Sequence, residues 1–344
     1  MESFEKIENK GMSIEDFSLL KVVGKGSYGT VMLAKHNESG EIVAIKMLKK
    51  SYLHKKKQVA HTITERFVLE ALNHPFIVQM RYAFQNPEKL YFCLEYCPGG
   101  EIFYHLSRVG NFDEEVTRFY AAQILLALKY LHSNDIIYRD LKPENVLIDA
   151  EGYVKITDFG LSKANIQSST DATSFCGTPE YLAPEVLARE GYGKSVDWWS
   201  FGSIIFEMLT GVPPFYEQDR EKLFRAIKND DPEYPGELSD SCIDMLQRLL
   251  NKDPTTRLGC TESGAEEIMA HPWFQIVNWD ALYEKKIIPP FRPKLQGDSD
   301  TKYVDREFLD LAPVDSATGE TILEDGSAHK WEGFSYVGDN KMTS

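Results

Sequence analysis

Three groups of residues have the types and spacing to handle phosphate. The first is the run Gly24-Lys25-Gly26-Ser27-Tyr28-Gly29-Thr30-Val31. Glycines placed this way let backbone N–H groups approach phosphate oxygens without Cβ obstruction. The same Gly-x-Gly-x-x-Gly pattern also opens dinucleotide-binding units, but those need a helix directly after the glycines, and here a second strand follows. A hairpin favours a lid over a nucleotide. The second group is Val43-Ala44-Ile45-Lys46 on the next strand, where an inward Lys46 can neutralise phosphate charge if a partner holds it. Glu65, on the helix downstream, is the candidate partner. The third group is Tyr138-Arg139-Asp140-Leu141-Lys142-Pro143-Glu144-Asn145, followed 18 residues after Asp140 by Asp158-Phe159-Gly160 and then by Ala183-Pro184-Glu185. Asn145 and Asp158 offer hard oxygen ligands of the kind magnesium takes, an ion that keeps some waters and bridges phosphates.

The elements that must position these groups change style along the chain. Residues 17–23, 30–35 and 41–48 read as strands, rich in apolar and β-branched residues and separated by turns. A helix is expected near 58–72, from Val59, Ile63, Phe67 and Leu69, and two more strands near 77–84 and 90–95. That makes a small sheet with one helix. Cys97-Pro98-Gly99-Gly100 reads as a hinge, after which helices dominate at 101–107, 114–133, 195–210, 219–228 and 239–250. Beyond Phe274 the periodicity fades into a polar tail with scattered aromatics, which should wrap the domain rather than fold alone. The expected boundaries are an extension at 1–16, a small lobe at 17–97, a large lobe at 98–274 and a tail at 275–344.

Composition bounds the partners. The 344 residues are 42% apolar, enough for a core but long for a single one. Five dispersed cysteines without a Cys-x-x-Cys pair predict a reducing context, with no disulfide framework and no zinc site. No stretch reads as a signal peptide or membrane span, since the most apolar one, 201–215, is interrupted by Glu207 and Pro213-Pro214. Neither end carries a lipidation motif, so no intrinsic membrane anchor is expected. The net charge is −15, and it is uneven: residues 1–97 sum to +3, 98–274 to −13 and 275–344 to −5. An acidic middle disfavours nucleic acid and favours a basic peptide.

The ordered motifs resemble the protein kinases, and within them the AGC group, whose catalytic loop often has tyrosine where most kinases have histidine. The resemblance spans about residues 17 to 337. It implies an α+β, bilobal protein kinase fold, with a β-rich N-lobe, a mostly helical C-lobe and a tail wrapping both. It implies ATP and Mg2+ as cofactors, with Asp140 accepting the substrate hydroxyl proton, Lys142 steadying the phosphoryl group, and Asn145 and Asp158 holding the metal. Lys142 and the loop Gly177-Thr178-Pro179-Glu180-Tyr181 resemble serine/threonine rather than tyrosine kinases. Thr178 should bridge Asp140 and Lys142, Glu185 should pair with Arg257, and Asp197 should brace the catalytic loop. Adenine is expected against the hinge, with backbone groups from Glu95 and Cys97, walls from Val31, Ala44 and Leu147, and Leu94 guarding the inner pocket. Gly24, Lys25, Gly26, Ser27 and Gly29 would cover the phosphates.

The tail narrows the resemblance. Phe291-Arg292-Pro293 and the run 300–308 look like an AGC tail, and Trp331-Glu332-Gly333-Phe334-Ser335-Tyr336 like its hydrophobic motif. Together with Phe175-Cys176-Gly177-Thr178 they are most similar to protein kinase B and the serum- and glucocorticoid-regulated kinases. Activation is expected from upstream kinases acting on Ser174 and Ser335, with Ser316 or Thr318 as an accompanying site, and His61, Arg139 and Lys163 as the clamp for phosphorylated Ser174. Trp331 and Phe334 should dock between the helix of Glu65 and the small sheet. Glu101 and Glu144 would select arginine three residues before the acceptor, whereas Arg225 would weaken any demand at the second. Three residues depart from the group's pattern: Val304 for a phenylalanine, Trp331 for another, and Arg225 for an acidic residue. A monomer with a cytoplasmic and nuclear address is expected, recruited to membranes by partners or by a further domain. A pseudokinase scaffold is disfavoured because Lys46, Asp140, Asn145 and Asp158 are all present, and a small-molecule kinase because the loop from Cys176 to Glu185 resembles a peptide-docking segment.

Overall fold

The structure is a computed structural model that describes residues 11–26, 29–166, 168, 170–315, 331 and 333–338. In chain order its elements are β1 (Phe17–Gly26), β2 (Gly29–His36), β3 (Ile42–Lys49), α1 (Lys50–Lys55), α2 (Val59–Ala71), β4 (Met80–Gln85), β5 (Lys89–Glu95), β6 (Gly100–Glu101), α3 (Ile102–Val109), α4 (Glu114–Ser133), β7 (Val146–Ile148), β8 (Val154–Ile156), α5 (Pro184–Ala188), α6 (Ser195–Thr210), α7 (Arg220–Asn229), α8 (Asp240–Leu249), α9 (Ala265–Met269), α10 (Trp279–Tyr283), α11 (Arg306–Leu309) and β9 (Tyr336–Val337). The described residues form two compact units, one drawn from the spans 1–66, 80–96 and 305–344, the other from 67–79 and 97–304.

The first unit is an antiparallel sheet in the order β1-β2-β3-β5-β4-β9. Alternation along β3 sends Val43, Ile45 and Met47 into a buried layer and turns Ala44 and Lys46 to the opposite face. That layer is aromatic: Phe84 stacks on Phe17 at 5.8 Å and on Tyr91 at 4.8 Å, and Met12, Ile14 and Phe308 pack against it. Gly29 can only be glycine, because a Cβ there would lie 1.8 Å from the Met47 carbonyl oxygen.

Four features of this unit differ from the sequence expectation. The strand expected at 77–84 starts at Met80, and Ile77 instead makes an isolated parallel bridge to Ile156 in the second unit. The sheet carries a second helix, α1, whose six residues are too few to show a period. The tail supplies a sixth strand, β9, paired to β4 through Tyr82 with Val337 and Ala83 with Tyr336. On α2 the buried residues are Thr62, Glu65, Arg66, Val68 and Leu69, while Phe67 is 54% exposed. Charged side chains took the inward positions because each finds a partner there, Glu65 in Lys46 and Arg66 in the Phe334 carbonyl.

The second unit is mainly helical around α4 and α6, both at the bounds expected from periodicity. Asp113 caps α4 by accepting from Val116 N at 2.8 Å, and Gly211, at φ +82°, ends α6. Trp199, Phe215, Leu223, Ile227 and Leu250 form one buried cluster. The bidentate pair of Arg257 with Glu185, at 2.7 and 2.9 Å, is buried beside it. A short sheet, β6-β7-β8, carries the loop between α4 and β7. Residues up to Val304 belong here: at Gly100, φ +77°, a Cβ would meet the Tyr303 carbonyl oxygen at 2.4 Å. Among the described residues no helix is long and apolar enough to cross a membrane.

Candidate active site

In the first unit the glycine-rich turn continues the β1–β2 pairing, Gly24 opposite Val31, Lys25 opposite Thr30 and Gly26 opposite Gly29. Ser27 lies outside the described residues. Register aligns Val31 with Lys46, and Ala44 with Leu94, so three of the expected adenine contacts sit on adjoining strands. Lys46 Nζ reaches Glu65 Oε1 at 2.7 Å, with the carboxylate only 4% exposed. A buried carboxylate needs this cation, and α2 is thereby fixed to β3. Glu95 ends β5 opposite Val43.

Beside Glu65, the buried Arg66 was missed by sequence reading. Its Nε donates to the Phe334 carbonyl at 3.0 Å, its Nη2 to that of Ser335 at 3.5 Å, and its guanidinium lies 5.4 Å from the Tyr336 ring centre. Trp331 and Phe334 are 2% and 3% exposed, Trp331 edge-on to His54 of α1 and Phe334 edge-on to Phe92 of β5. Ser335 itself is exposed. The spacing of Thr62, Arg66 and Leu69 along one helical face was the signal available.

In the second unit Cys97 is buried and its carbonyl accepts from Gly100 N at 3.3 Å, while Leu147 pairs with Glu101 in the short sheet. The catalytic-loop residues converge on Asp140. Thr178 Oγ1 donates to Asp140 Oδ1 at 3.2 Å and accepts from Lys142 Nζ at 2.9 Å. Lys142 Nζ also stands 3.3 Å from Asp140 Oδ2, and Asn145 Nδ2 donates to that oxygen at 2.9 Å. Burial raises the Asp140 carboxyl above its ordinary range, Lys142 opposes this, and the nearby charge of Asp158 adds to it. A raised carboxyl is a better proton acceptor. Asp197 supports the loop from below, accepting from Tyr138 N at 2.9 Å, Arg139 N at 2.8 Å and His132 Nε2 at 2.8 Å. These bonds hold Arg139 at φ +69°.

The donor set suits a hard cation. Asn145 spends its Nδ2 on Asp140, leaving Oδ1 for a ligand, and Asp158 lies close enough to act on Asp140 electrostatically. Among the described residues no group of three or more His, Cys, Asp or Glu side chains could hold a metal. Two protein oxygens fit magnesium, which is held by one or two side chains with substrate phosphates and waters completing its shell.

Within the second unit one residue of the expected clamp is in contact with Ser174. Arg139 Nη1 donates to the exposed Ser174 hydroxyl at 2.8 Å. Lys163 Nζ donates to the Asp171 carbonyl, and within the first unit His61 Nδ1 bonds Gln58 Oε1 at 2.8 Å. Tyr192 was missed: its hydroxyl donates to the Ser174 carbonyl at 2.6 Å. Ser316 and Thr318 lie outside the described residues.

A further carboxylate of the second unit is buried. Glu207 of α6 is 6% exposed and accepts from Tyr181 Oη. Burial, with the charges of Glu144 and Glu180 adding to it against the Tyr181 bond, pushes it up to about 7. Glu144 Oε2 is buried with no hydrogen-bond partner among the described residues. Glu144 and Glu180 are thus both near enough to act on Glu207 electrostatically. Glu101, half-buried, precedes α3, and Arg225 is exposed on α7.

Comparison with known proteins completes the picture. Residues 17–274 match the family model described as the protein kinase domain, and 295–336 that of the protein kinase C terminal domain. The RAC family serine/threonine-protein kinase homolog of Dictyostelium discoideum is 45% identical over 335 residues, 97% of this chain and 74% of that protein. The serine/threonine-protein kinase Sgk2 of Homo sapiens is 47% identical over 326 residues, 94% of this chain and 89% of that one. The serine/threonine-protein kinase YPK1 of Saccharomyces cerevisiae is 44% identical over 341 residues, 99% of this chain but only 50% of its own length.

Proposed function

The chain belongs to the protein kinase family, as an AGC-type serine/threonine kinase related to the RAC and Sgk enzymes, and from that premise we propose that it phosphorylates basic protein substrates from ATP with Mg2+ and is switched on by phosphorylation of Ser174 and Ser335. The observation that carries the catalytic part is the environment of Asp140. Phosphoryl transfer asks for a positioned nucleophile and neutralised charge rather than covalent help. Asp140, oriented by Asn145 and Thr178 and made more basic by burial, accepts the hydroxyl hydrogen of the incoming serine or threonine. Lys142, held on Thr178, faces the transferred group, and Lys46, held by Glu65, neutralises phosphate charge of the nucleotide. Magnesium, when bound through Asn145 and Asp158, supplies charge neutralisation across the phosphate oxygens.

Activation follows from the same contacts. A phosphate on Ser174 would strengthen the bond that Arg139 already makes there, and Arg139 directly precedes Asp140. At the other end, Arg66 ties the backbone around Ser335 to the helix turn that presents Glu65. A monomer with a cytoplasmic and nuclear address completes the proposal.

Substrate choice is read from Glu101 and from the crowded carboxyl groups of Glu144, Glu180 and Glu207, which a guanidinium would relieve through charge-assisted, bidentate bonds. A positional-scanning peptide library tests it. The wild type should demand arginine at the third position upstream, and Glu101→Gln should lower that preference about tenfold. Arg225→Glu in the same library reads the second upstream position, where a gain of basic preference is expected. Unchanged preference at the third position in Glu101→Gln would remove that residue from the substrate site.

A further inference from the structure

The catalytic reading leaves unused a network of buried polar groups at the turn between β4 and β5, within the first unit. Lys89 opens β5, is 5% exposed, and pairs its ammonium with Asp315 Oδ1 of the tail. Tyr91 Oη donates to Asp315 Oδ2 at 2.8 Å and accepts from Asn86 Nδ2 at 2.9 Å. Asn86 is built into the turn, its Oδ1 accepting from Lys89 N at 2.7 Å and from Glu88 N at 3.0 Å. The Asn86 carbonyl accepts from Lys50 Nζ at 2.7 Å, and the same ammonium donates to Gln85 Oε1 at 2.7 Å. Gln85 Nε2 then donates to the Trp331 carbonyl at 2.8 Å. An unbroken path of polar contacts thus joins Asp315 to Trp331, sixteen residues apart in the tail. Lys50 also begins α1, whose His54 packs edge-on against the Trp331 ring at 5.8 Å.

We propose that Asp315 is a permanent anionic pin that docks the tail on the β4–β5 turn, and that the turn couples this pin to the Trp331 anchor. Asp315 brings an anion to a buried ammonium, so its pair with Lys89 favours the docked tail over the free one. Aspartate is charged at neutral pH without any modification, so the pin acts before either proposed phosphorylation. Coupling follows because Asn86 and Lys50 are shared: withdrawing Asp315 leaves Tyr91 and Lys89 to re-pair, and both are bonded to the Asn86 side chain or turn backbone that orients Lys50 and Gln85. The inference rests on the docked tail and on none of the catalytic residues, so its test reads docking and survives a failure of the catalytic assignment.

Hydrogen exchange of the phosphatase-treated full chain measures it. The reporter is the Gly338 amide, which donates to the Arg81 carbonyl at 2.9 Å beyond β9. Treated wild type should stay protected; loss of protection on treatment would overturn the permanence of the pin. Asp315→Asn, which removes the charge and keeps the shape, should speed exchange at Gly338 at least about tenfold. Peptides of α4 should be unchanged, as should Gly338 in Asp310→Asn, which alters an exposed tail carboxylate. Unchanged exchange in Asp315→Asn overturns the proposal. If that variant also loses protection in α4, Tyr91→Phe, lacking only the hydroxyl on Asp315, is read by the same criterion. Coupling is read from Gln85→Ala combined with Asp315→Asn: the double variant should lose little more than the larger single one, and multiplicative losses would overturn transmission through the turn.

Discussion

Replacing Glu207 with glutamine should make the protein more stable, and only above a definable pH. The folded carboxyl titrates at about 7 against an ordinary 4.5, chiefly because it is buried, with Glu144 and Glu180 adding repulsion. A raised folded pKa means that the fold binds the proton more tightly than the unfolded chain does. Its contribution is fully present below the unfolded pKa and is lost as pH rises through about 7. At about 1.4 kcal/mol per pH unit, the rise corresponds to about 3 kcal/mol. Glutamine keeps an acceptor for Tyr181 Oη and has no charge to bury. Glu207→Gln should therefore match the wild type near pH 4 and exceed it by up to about 3 kcal/mol near pH 8. Urea unfolding followed by tryptophan fluorescence across that range gives the comparison, with m unchanged between the two proteins. At neutral pH the variant should also bind basic peptides less well, raising KM with kcat largely kept. A stability difference that is flat with pH, or that favours the wild type at high pH, would refute the reasoning.

Two further outcomes are expected. Trp331→Ala should cost about 3–5 kcal/mol of tail docking, and Trp331→Phe should cost less, because it leaves a smaller cavity and the indole Nε1 has no hydrogen-bond partner among the described residues to lose; exchange at Gly338 ranks the two. Ser174→Ala should fall short of the phosphorylated wild type in kcat by about tenfold to a hundredfold, the value of charge-assisted bonds to Arg139, and equal rates would dismiss Ser174 as a switch.

Legibility in the sequence followed length and locality. Helices α4 and α6 run long enough for their periods to fix both ends, and the motifs around Asp140 and Asp158 are local strings. Helix α1 and strand β9 are too short to carry a period, and β9 exists only because β4 offers it an edge. The buried face of α2 was misread because Ile63 and Phe67 look like a core stripe, while Glu65 and Arg66 are buried through partners 19 and 268 residues away. A charge inside the apolar run of α6 marked Glu207 all along, but its meaning depends on Tyr181, Glu144 and Glu180, which only the fold brings near. Asp315 has no local signature: its partners Lys89 and Tyr91 lie more than 220 residues away.

The most direct test of the account is the steady-state rate of phosphoryl transfer from ATP to a basic serine peptide, in the presence of magnesium, by wild type and Asp140→Asn. Asparagine keeps the size of the side chain and loses the proton acceptor. Turnover should fall by about 10²–10⁴, with ATP affinity by equilibrium binding nearly unchanged, because the role proposed for Asp140 is to accept the hydroxyl proton and not to hold the nucleotide. An Asp140→Asn enzyme that turns over like the wild type would contradict the assignment.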